Sequence, residues 1–160
     1  MPTIVHSGVP HQRQRNPRAC WFTGLQMEVR YFENRASSSL ADLRSPDTFP
    51  DMLSRFTAGS NPSWAEWRAW AQRCGFAPLD LTPTAQGIYD TLRQRGPIIY
   101  SGTWGHTFDG HVVIIVGINT DTRTLHIDDP LDATAPTTRI MNTYLGRLTQ
   151  TLTDNPLFVR

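Results

Sequence analysis

Apolar residues near the start of the chain recur at the spacing of one helix face. In the first such segment they are Trp21, Leu25, Val29 and Phe32. This period predicts a helix over about 19–33. Asn16-Pro17 lies just upstream and is a chain-turning dipeptide that can open the helix. Cys20 is therefore expected at or near the helix N-terminus.

Caps and helix breakers divide the following stretch into shorter helices. Ser63-Trp64-Ala65-Glu66 has the capping-box pattern, which predicts a helix that runs to Arg73–Cys74 and stops at Gly75. Its apolar stripe is interpreted as core packing and consists of Trp64, Trp67, Trp70 and Ala71. Thr82-Pro83 predicts the start of another helix, which ends at Gly96-Pro97. Two shorter helical segments are expected near 40–44 and over 51–56.

The pattern changes to that of strands in the second half of the chain. Val112–Ile118 is continuously apolar and β-branched, which is typical of a central strand buried on both faces. A turn over Asn119–Arg123 connects it to a second strand over Thr124–Asp128, so the two form a hairpin. Asp129-Pro130 ends this strand, because proline cannot pair within a central ladder.

Further strands are expected on both sides of the hairpin. Ile98–Tyr100 is a short buried strand, and the ambiguous segments 138–152 and 157–159 are predicted as strands at the sheet edge. Helices followed by an antiparallel sheet predict an α+β fold. Residues 1–12 are interpreted as an extended lead-in and 132–160 as a C-terminal extension of the sheet.

Composition narrows the class of protein. The 160 residues predict a single domain over 1–160, of a size that needs no metal or disulfide to fold. The formal net charge of +1 gives no general attraction to nucleic acid or an anionic membrane surface. The sequence has no apolar run long enough for a transmembrane helix, and its start lacks the pattern of a conventional signal peptide.

Cys20 is a candidate nucleophile. The positive end of the helix dipole favours a thiolate there, and Arg15 and Arg18 add positive charge nearby. Taken alone, Cys20 could equally be a small buried hydrophobe. Cys74 lies at a predicted helix C-terminus, which disfavours a thiolate, so it is expected to be inert and buried. Two cysteines fit a reducing compartment, and a disulfide between Cys20 and Cys74 is the alternative.

His111 and Asp129 bracket the predicted hairpin. With a turn centred near residue 121, positions 111 and about 130 lie opposite each other, so a carboxylate can reach the imidazole. This is the base and its orienting group in a catalytic triad. The rivals are His106, in a polar loop, and Asp128, which strand alternation sends to the opposite face. No Cys-x-x-Cys or His-x-x-x-His spacing occurs, so no metal site is predicted.

A series of motifs along the chain resembles, in content and order, the motifs of papain-like cysteine proteases. Gln14, six residues before Cys20-Trp21, looks like the oxyanion-hole glutamine of that superfamily. The other motifs are Gly96-Pro97-Ile98-Ile99, Gly110-His111-Val112-Val113, Val116-Gly117-Ile118 and Ile127-Asp128-Asp129-Pro130. The resemblance covers about residues 12–131. The most similar branches are the compact bacterial ones, the bacteriocin-processing double-glycine peptidases and the effector proteases of bacterial pathogens. Phe22-Thr23-Gly24 and the tail after Pro130 depart from the family pattern.

The resemblance implies a papain-like fold and acyl-transfer chemistry without a cofactor. Its helical half carries the nucleophile Cys20, and its antiparallel sheet carries the base His111 and its partner Asp129. Gln14 and the Cys20 backbone N–H would stabilise the oxyanion. The residues expected to wall a narrow substrate cleft are Trp21, Trp104 and His106.

The function expected from this resemblance is cleavage of a protein or peptide substrate, with a preference for Gly-Gly before the cut. The protein would be a bacterial effector or toxin, exported from the bacterial cytoplasm into a target cell and neutralised in the producer by an immunity protein. Two other functions stay open. The same triad could run deamidation or transglutamination of glutamine, or the domain could be a degenerate module that binds peptides without cutting them.

Overall fold

The computed structural model describes residues 3–35, 42–79, 84–103, 110–132, 137–140 and 157–160. Within these residues, the helices are α1 (Cys20–Glu33), α2 (Pro50–Thr57), α3 (Trp64–Arg73) and α4 (Ala85–Arg95). The strands are β1 (Thr3–Val5), β2 (Ala77–Leu79), β3 (Ile98–Thr103), β4 (Gly110–Asn119), β5 (Thr124–Asp128), β6 (Thr137–Ile140) and β7 (Leu157–Val159). The predicted α+β class is confirmed.

Local capping explains where two of the helices begin. The capping box of α3 is present, since the Glu66 N–H donates to Ser63 Oγ and the Ser63 N–H donates to the Glu66 carboxylate. In α4 the Gly87 N–H donates to Thr84 Oγ1, so the helix begins at Ala85. The predicted start at Thr82-Pro83 is therefore wrong, because the threonine that caps the helix is the next one along the chain.

The predicted helix near 40–44 is also wrong as far as the structure describes it. Residues 36–41 lie outside the described part of the chain, and 42–44 are not helical. A short 3₁₀-helix over Pro46–Thr48 follows instead. The predicted turn over 51–56 is a two-turn helix, α2, because Pro50 at its first position suits a helix start.

The strands form one antiparallel sheet in the order β2-β7-β3-β4-β5-β6, and β1 also pairs with β4. Strand β6 lies at an edge, as predicted for the segment 138–152, of which residues 141–152 lie outside the described part of the chain. Strand β7 does not: it lies between β2 and β3, so the edge position predicted for 157–159 is wrong. Neither β2 nor β1 was expected, because three-residue strands carry too little alternation to be recognised.

Strand β4 is the centre of the fold and is buried on both faces, as its continuous apolar run predicts. On one face Val112, Ile114 and Val116 pack in a cluster with α1 and α3. On the other face Val113, Ile115 and Ile118 pack in a second cluster with α4.

Helix α1 lies very close to β4 at Gly24. A methyl group at this position would meet Val112 Cγ1 at 3.0 Å, tighter than ordinary contact. The Phe22-Thr23-Gly24 departure from the family pattern thus has a packing reason. Because Gly24 has no side chain, the helix that begins with Cys20 can lie this close to the sheet.

Candidate active site

The chain enters α1 through a turn built by Asn16. Its side-chain Oδ1 accepts a hydrogen bond from the Arg18 N–H at 3.0 Å, and its carbonyl accepts one from the Ala19 N–H at 3.2 Å. The first helical bond runs from the Thr23 N–H to the Ala19 carbonyl. Cys20 is thus the first residue of the helix, as predicted, and the positive end of the helix dipole lies at its thiol.

His111 and Asp129 are in direct contact at the end of the β4–β5 hairpin. The His111 Nε2 lies 2.9 Å from Asp129 Oδ1, and both side chains are buried. The same carboxylate oxygen accepts the Leu131 N–H at 2.9 Å. Because Asp129 Oδ1 is an acceptor and is held by the backbone of its own turn, it fixes a proton on His111 Nε2.

Cys20 completes this row of contacts, since its side chain is hydrogen-bonded to His111. Nε2 is taken by Asp129, so Nδ1 is the ring nitrogen that remains for the thiol. Burial lowers the pKa of His111, but the hydrogen bonds to Asp129 and Cys20 and their negative charges outweigh it and raise this pKa to about 10. Contact with these two partners therefore favours the protonated form of the His111 imidazole.

Gln14 lies between the two turns that carry the other site residues. Its backbone N–H donates to the Pro130 carbonyl at 2.8 Å, next to Asp129. Its side-chain Nε2 donates to the Asn16 carbonyl at 2.7 Å, in the turn that leads to Cys20. One of the two amide protons is used in this way, which leaves the second for another acceptor.

The structure does not support the predicted substrate-cleft wall at Trp21. This side chain is only 2% exposed and packs against Trp70, with ring centroids 5.1 Å apart. Trp21 lies on the apolar face of α1 that the sequence period identifies, so its place is the core. The other two predicted wall residues, Trp104 and His106, lie outside the described residues.

Cys74 is free, fully buried and located at the C-terminal cap of α3. Burial raises the pKa of its thiol to about 12, which keeps it protonated at neutral pH. Cys20 is not in a disulfide either, so the two cysteines form no bridge.

A second histidine–aspartate pair lies beside the first and was missed by the sequence analysis. The side chains of His11 and Asp128 are hydrogen-bonded through Nδ1 and Oδ1, and His11 Nε2 lies 3.0 Å from the Asp132 carbonyl. Strand alternation turns Asp128 away from Asp129, as expected. His11 and Asp128 are 117 positions apart in the chain, so the sequence gives no signal of this pairing.

Glu28 of α1 is a further acidic group close to Asp128. It is fully buried, and neither carboxylate oxygen has a hydrogen-bond partner among the described residues. Burial, and then the charge of Asp128, raise the pKa of Glu28 to about 8. Burial likewise raises the pKa of Asp128, while the hydrogen bond from His11 opposes that shift.

The described residues lack metal-binding clusters and membrane-spanning helices. They contain no group of three or more histidine, cysteine or acidic side chains placed to hold a metal ion. None of their helices has the length and apolar character required to cross a membrane.

Comparison with known proteins identifies the family. The family model described as "Papain-like cysteine protease AvrRpt2" matches residues 4–147. No curated protein matches the chain. The predicted resemblance to compact bacterial papain-like proteases is thereby confirmed.

Solved structures of other peptidases share the fold. A C39-like peptidase from Bacillus anthracis superposes with a TM-score of 0.67 at 12% identity, covering 100% of this chain and 98% of that one. The peptidase domain of Streptococcus ComA, a bifunctional ABC transporter of a quorum-sensing pathway, gives 0.58 at 16% identity, with 95% and 96% covered. A double-glycine-motif protease from an AMS/PCAT transporter, in complex with the leader peptide, gives 0.53 at 17% identity, with 99% and 96% covered. The chain is a cysteine peptidase of papain-like fold and belongs to the family of the papain-like cysteine protease AvrRpt2.

Proposed function

We propose that Cys20, His111 and Asp129 form the catalytic triad of this peptidase. One observation carries the proposal: a continuous row of hydrogen bonds joins Cys20, at the start of a helix, through the His111 ring to Asp129. Each partner has the chemical character that its role requires. A cysteine at a helix N-terminus is a nucleophile, an imidazole moves protons, and a buried carboxylate orients the imidazole.

The reaction begins with attack of Cys20 Sγ on the carbonyl carbon of the scissile peptide bond. The thiol proton resides on His111 Nδ1, and Asp129 balances the resulting imidazolium through Nε2–H. The oxyanion of the tetrahedral intermediate accepts hydrogen bonds from the Cys20 backbone N–H and from the second amide proton of Gln14.

Collapse of this intermediate breaks the C–N bond, and His111 Nδ1 donates its proton to the leaving amine. The acyl group stays on Cys20 as a thioester. A water molecule then gives a proton to His111 Nδ1 and attacks the thioester carbon. Breaking the C–S bond releases the carboxylic acid. The sulfur stays on Cys20, and one proton is again shared between Cys20 and His111, which restores the enzyme.

The proposed substrate is a polypeptide cut after a small residue, with Gly-Gly preferred. One structure of the same fold supports this: it is a double-glycine-motif protease in complex with the leader peptide. The biological role that we propose is that of a bacterial effector or toxin made in the bacterial cytoplasm and delivered into a target cell. A cognate immunity protein covering the cleft would protect the producer.

A proteome-derived peptide library, read by mass spectrometry for new termini, tests this function. We expect the wild-type protein and a Cys74→Ala control to cut after small residues, with Gly-Gly enriched. The Cys20→Ala variant should make no cuts. A preference for a bulky apolar or basic residue before the cut would refute the Gly-Gly specificity. Release of ammonia from glutamine without new termini would replace proteolysis by deamidation.

A further inference from the structure

Residues 11–14, here called the N-terminal strap, bind the turn that carries Asp129 at three points. His11 bonds to Asp128, which precedes Asp129, and to the carbonyl of Asp132, which follows it. The Gln14 N–H donates to the Pro130 carbonyl between them. The strap thus spans the turn from one side of Asp129 to the other.

The same strap is also bonded to α1, the helix that begins with Cys20. Gln12 Nε2 donates to Gln26 Oε1 at 2.9 Å, and Arg30 Nη1 donates to Gln12 Oε1 at 2.7 Å. These two partners lie one helical turn apart. The strap therefore connects the nucleophile helix with the turn of the orienting carboxylate, and Gln14 is its last residue.

The protons on His11 follow from its two partners. The Asp132 carbonyl only accepts, so Nε2 of His11 carries a proton. The bond between His11 Nδ1 and Asp128 Oδ1 then contains one further proton, whichever of the two atoms holds it. The bond lies in a buried setting, where a hydrogen bond is electrostatically stronger than in water, so it fixes the geometry of both residues.

The surroundings of Asp128 make the partnership with His11 costly to lose. Asp128 is fully buried, and its Oδ2 has no hydrogen-bond partner among the described residues. The charge of Asp128 acts on the buried Glu28 of α1, and Asp129 and Asp132 of the turn act on Asp128 in the same way. Among these groups His11 is the one that can carry positive charge. Without it, the turn holds unbalanced carboxylates in a dry environment.

We propose that His11 is a positioning residue for this peptidase. Through Asp128 it holds the turn so that Asp129 stays against His111, and it anchors the strap that presents Gln14. The inference rests on the proposed triad, because His11 acts through Asp129 and touches neither the nucleophile nor the substrate.

The rate of Cys20 alkylation by iodoacetamide reports on this positioning without any substrate. His11→Ala should slow alkylation at pH 6 by about tenfold, the effect of losing one charged hydrogen bond at the far side of the triad. The matched control is His6→Ala. His6 lies in the same N-terminal segment and also uses both ring nitrogens, toward the Leu92 carbonyl and the Tyr31 hydroxyl, at 2.9 Å each.

Both variants are compared at a temperature at which circular dichroism shows them folded. We expect His6→Ala to lower the melting temperature but to keep the alkylation rate of Cys20 within twofold of wild type. His11→Asn, whose amide nitrogen takes about the position of Nδ1, should fold even if His11→Ala does not and should recover most of the rate. Equal slowing by His6→Ala and His11→Ala, or no recovery with His11→Asn, would overturn the positioning role.

A double-mutant cycle tests the route through Asp128. If His11 acts through this carboxylate, combining His11→Ala with Asp128→Asn should slow alkylation no more than the slower single variant. Additive losses would overturn this route. Wild-type Cys20 reacting as slowly as Cys74 would instead refute the triad itself. If wild-type Cys20 is alkylated fast and His11→Ala leaves that rate unchanged, the positioning role of His11 is refuted but the triad is not.

Discussion

Two histidine–aspartate pairs lie side by side at the end of β5. They have the same type of hydrogen bond but different surroundings. In both, an aspartate Oδ1 bonds to a histidine ring nitrogen. Asp129 meets His111 from the neighbouring strand, and that histidine continues to Cys20. Asp128 meets His11 from the far N-terminal segment and is surrounded by acidic groups instead. Asp128 and Asp129 are adjacent in the chain, but because side chains alternate along a strand they lie in two different electrostatic environments.

The two environments suit opposite tasks. Around His111 the cationic form of the imidazole is stabilised, which is what a proton-transferring group beside a thiol needs. Asp128 is buried near a second acidic side chain, Glu28, whose raised pKa keeps it protonated at pH 7. The first pair can exchange protons with a substrate, whereas the second can only hold its position.

Replacing the two aspartates in turn should separate these tasks with the largest effect. Asp129→Ala removes the acceptor that fixes the His111 tautomer and should reduce peptidase activity by on the order of 100-fold or more. Asp128→Asn should reduce it by about tenfold, because it affects only the placement of the turn. Peptide cleavage by purified variants checks both. A greater loss in Asp128→Asn than in Asp129→Ala would reverse the assignment of the two pairs.

The first pair could be predicted from the sequence, and the reason is local. Val112–Ile118 and Thr124–Asp128 are strongly patterned strands joined by a short turn, so their register follows from counting. The observed register pairs Asn119 with Thr124, and a bulge between Ile115 and Gly117 shifts it by only one residue. A contact across a hairpin therefore follows from pattern alone.

The second pair could not be predicted, because nothing local specifies it. His11 lies in a polar, proline-containing segment without periodicity, and its partner is far away in the chain. The error at Trp21 has a different cause. Its place in the apolar period of α1 already indicates the core, where it packs against Trp70, but a residue next to the nucleophile is also well placed to line a cleft.

The pH dependence of stability should distinguish the two environments with a smaller effect. Between its ordinary pKa of 4.5 and its folded pKa of about 8, Glu28 keeps a proton that the unfolded chain has released. The free energy of unfolding should therefore fall with rising pH in this window, by about 1.4 kcal/mol per pH unit from this group.

Urea unfolding of wild type and Glu28→Gln between pH 5 and pH 6.5 isolates this contribution, since His111 begins to contribute only above its ordinary pKa of 6.5. The glutamine variant should lose that part of the slope. Parallel curves for the two proteins would mean that Glu28 is ionised in the folded state, contrary to the environment described for Asp128.

Competitive labelling of the two cysteines tests the central claim most directly. With iodoacetamide at neutral pH, followed by peptide mapping, Cys20 should react at least 100-fold faster than Cys74, whose thiol is buried and stays protonated. His111→Ala should remove most of this advantage, while His106→Ala should keep it. Faster labelling of Cys74, or loss of Cys20 reactivity in His106→Ala but not in His111→Ala, would contradict the triad of Cys20, His111 and Asp129.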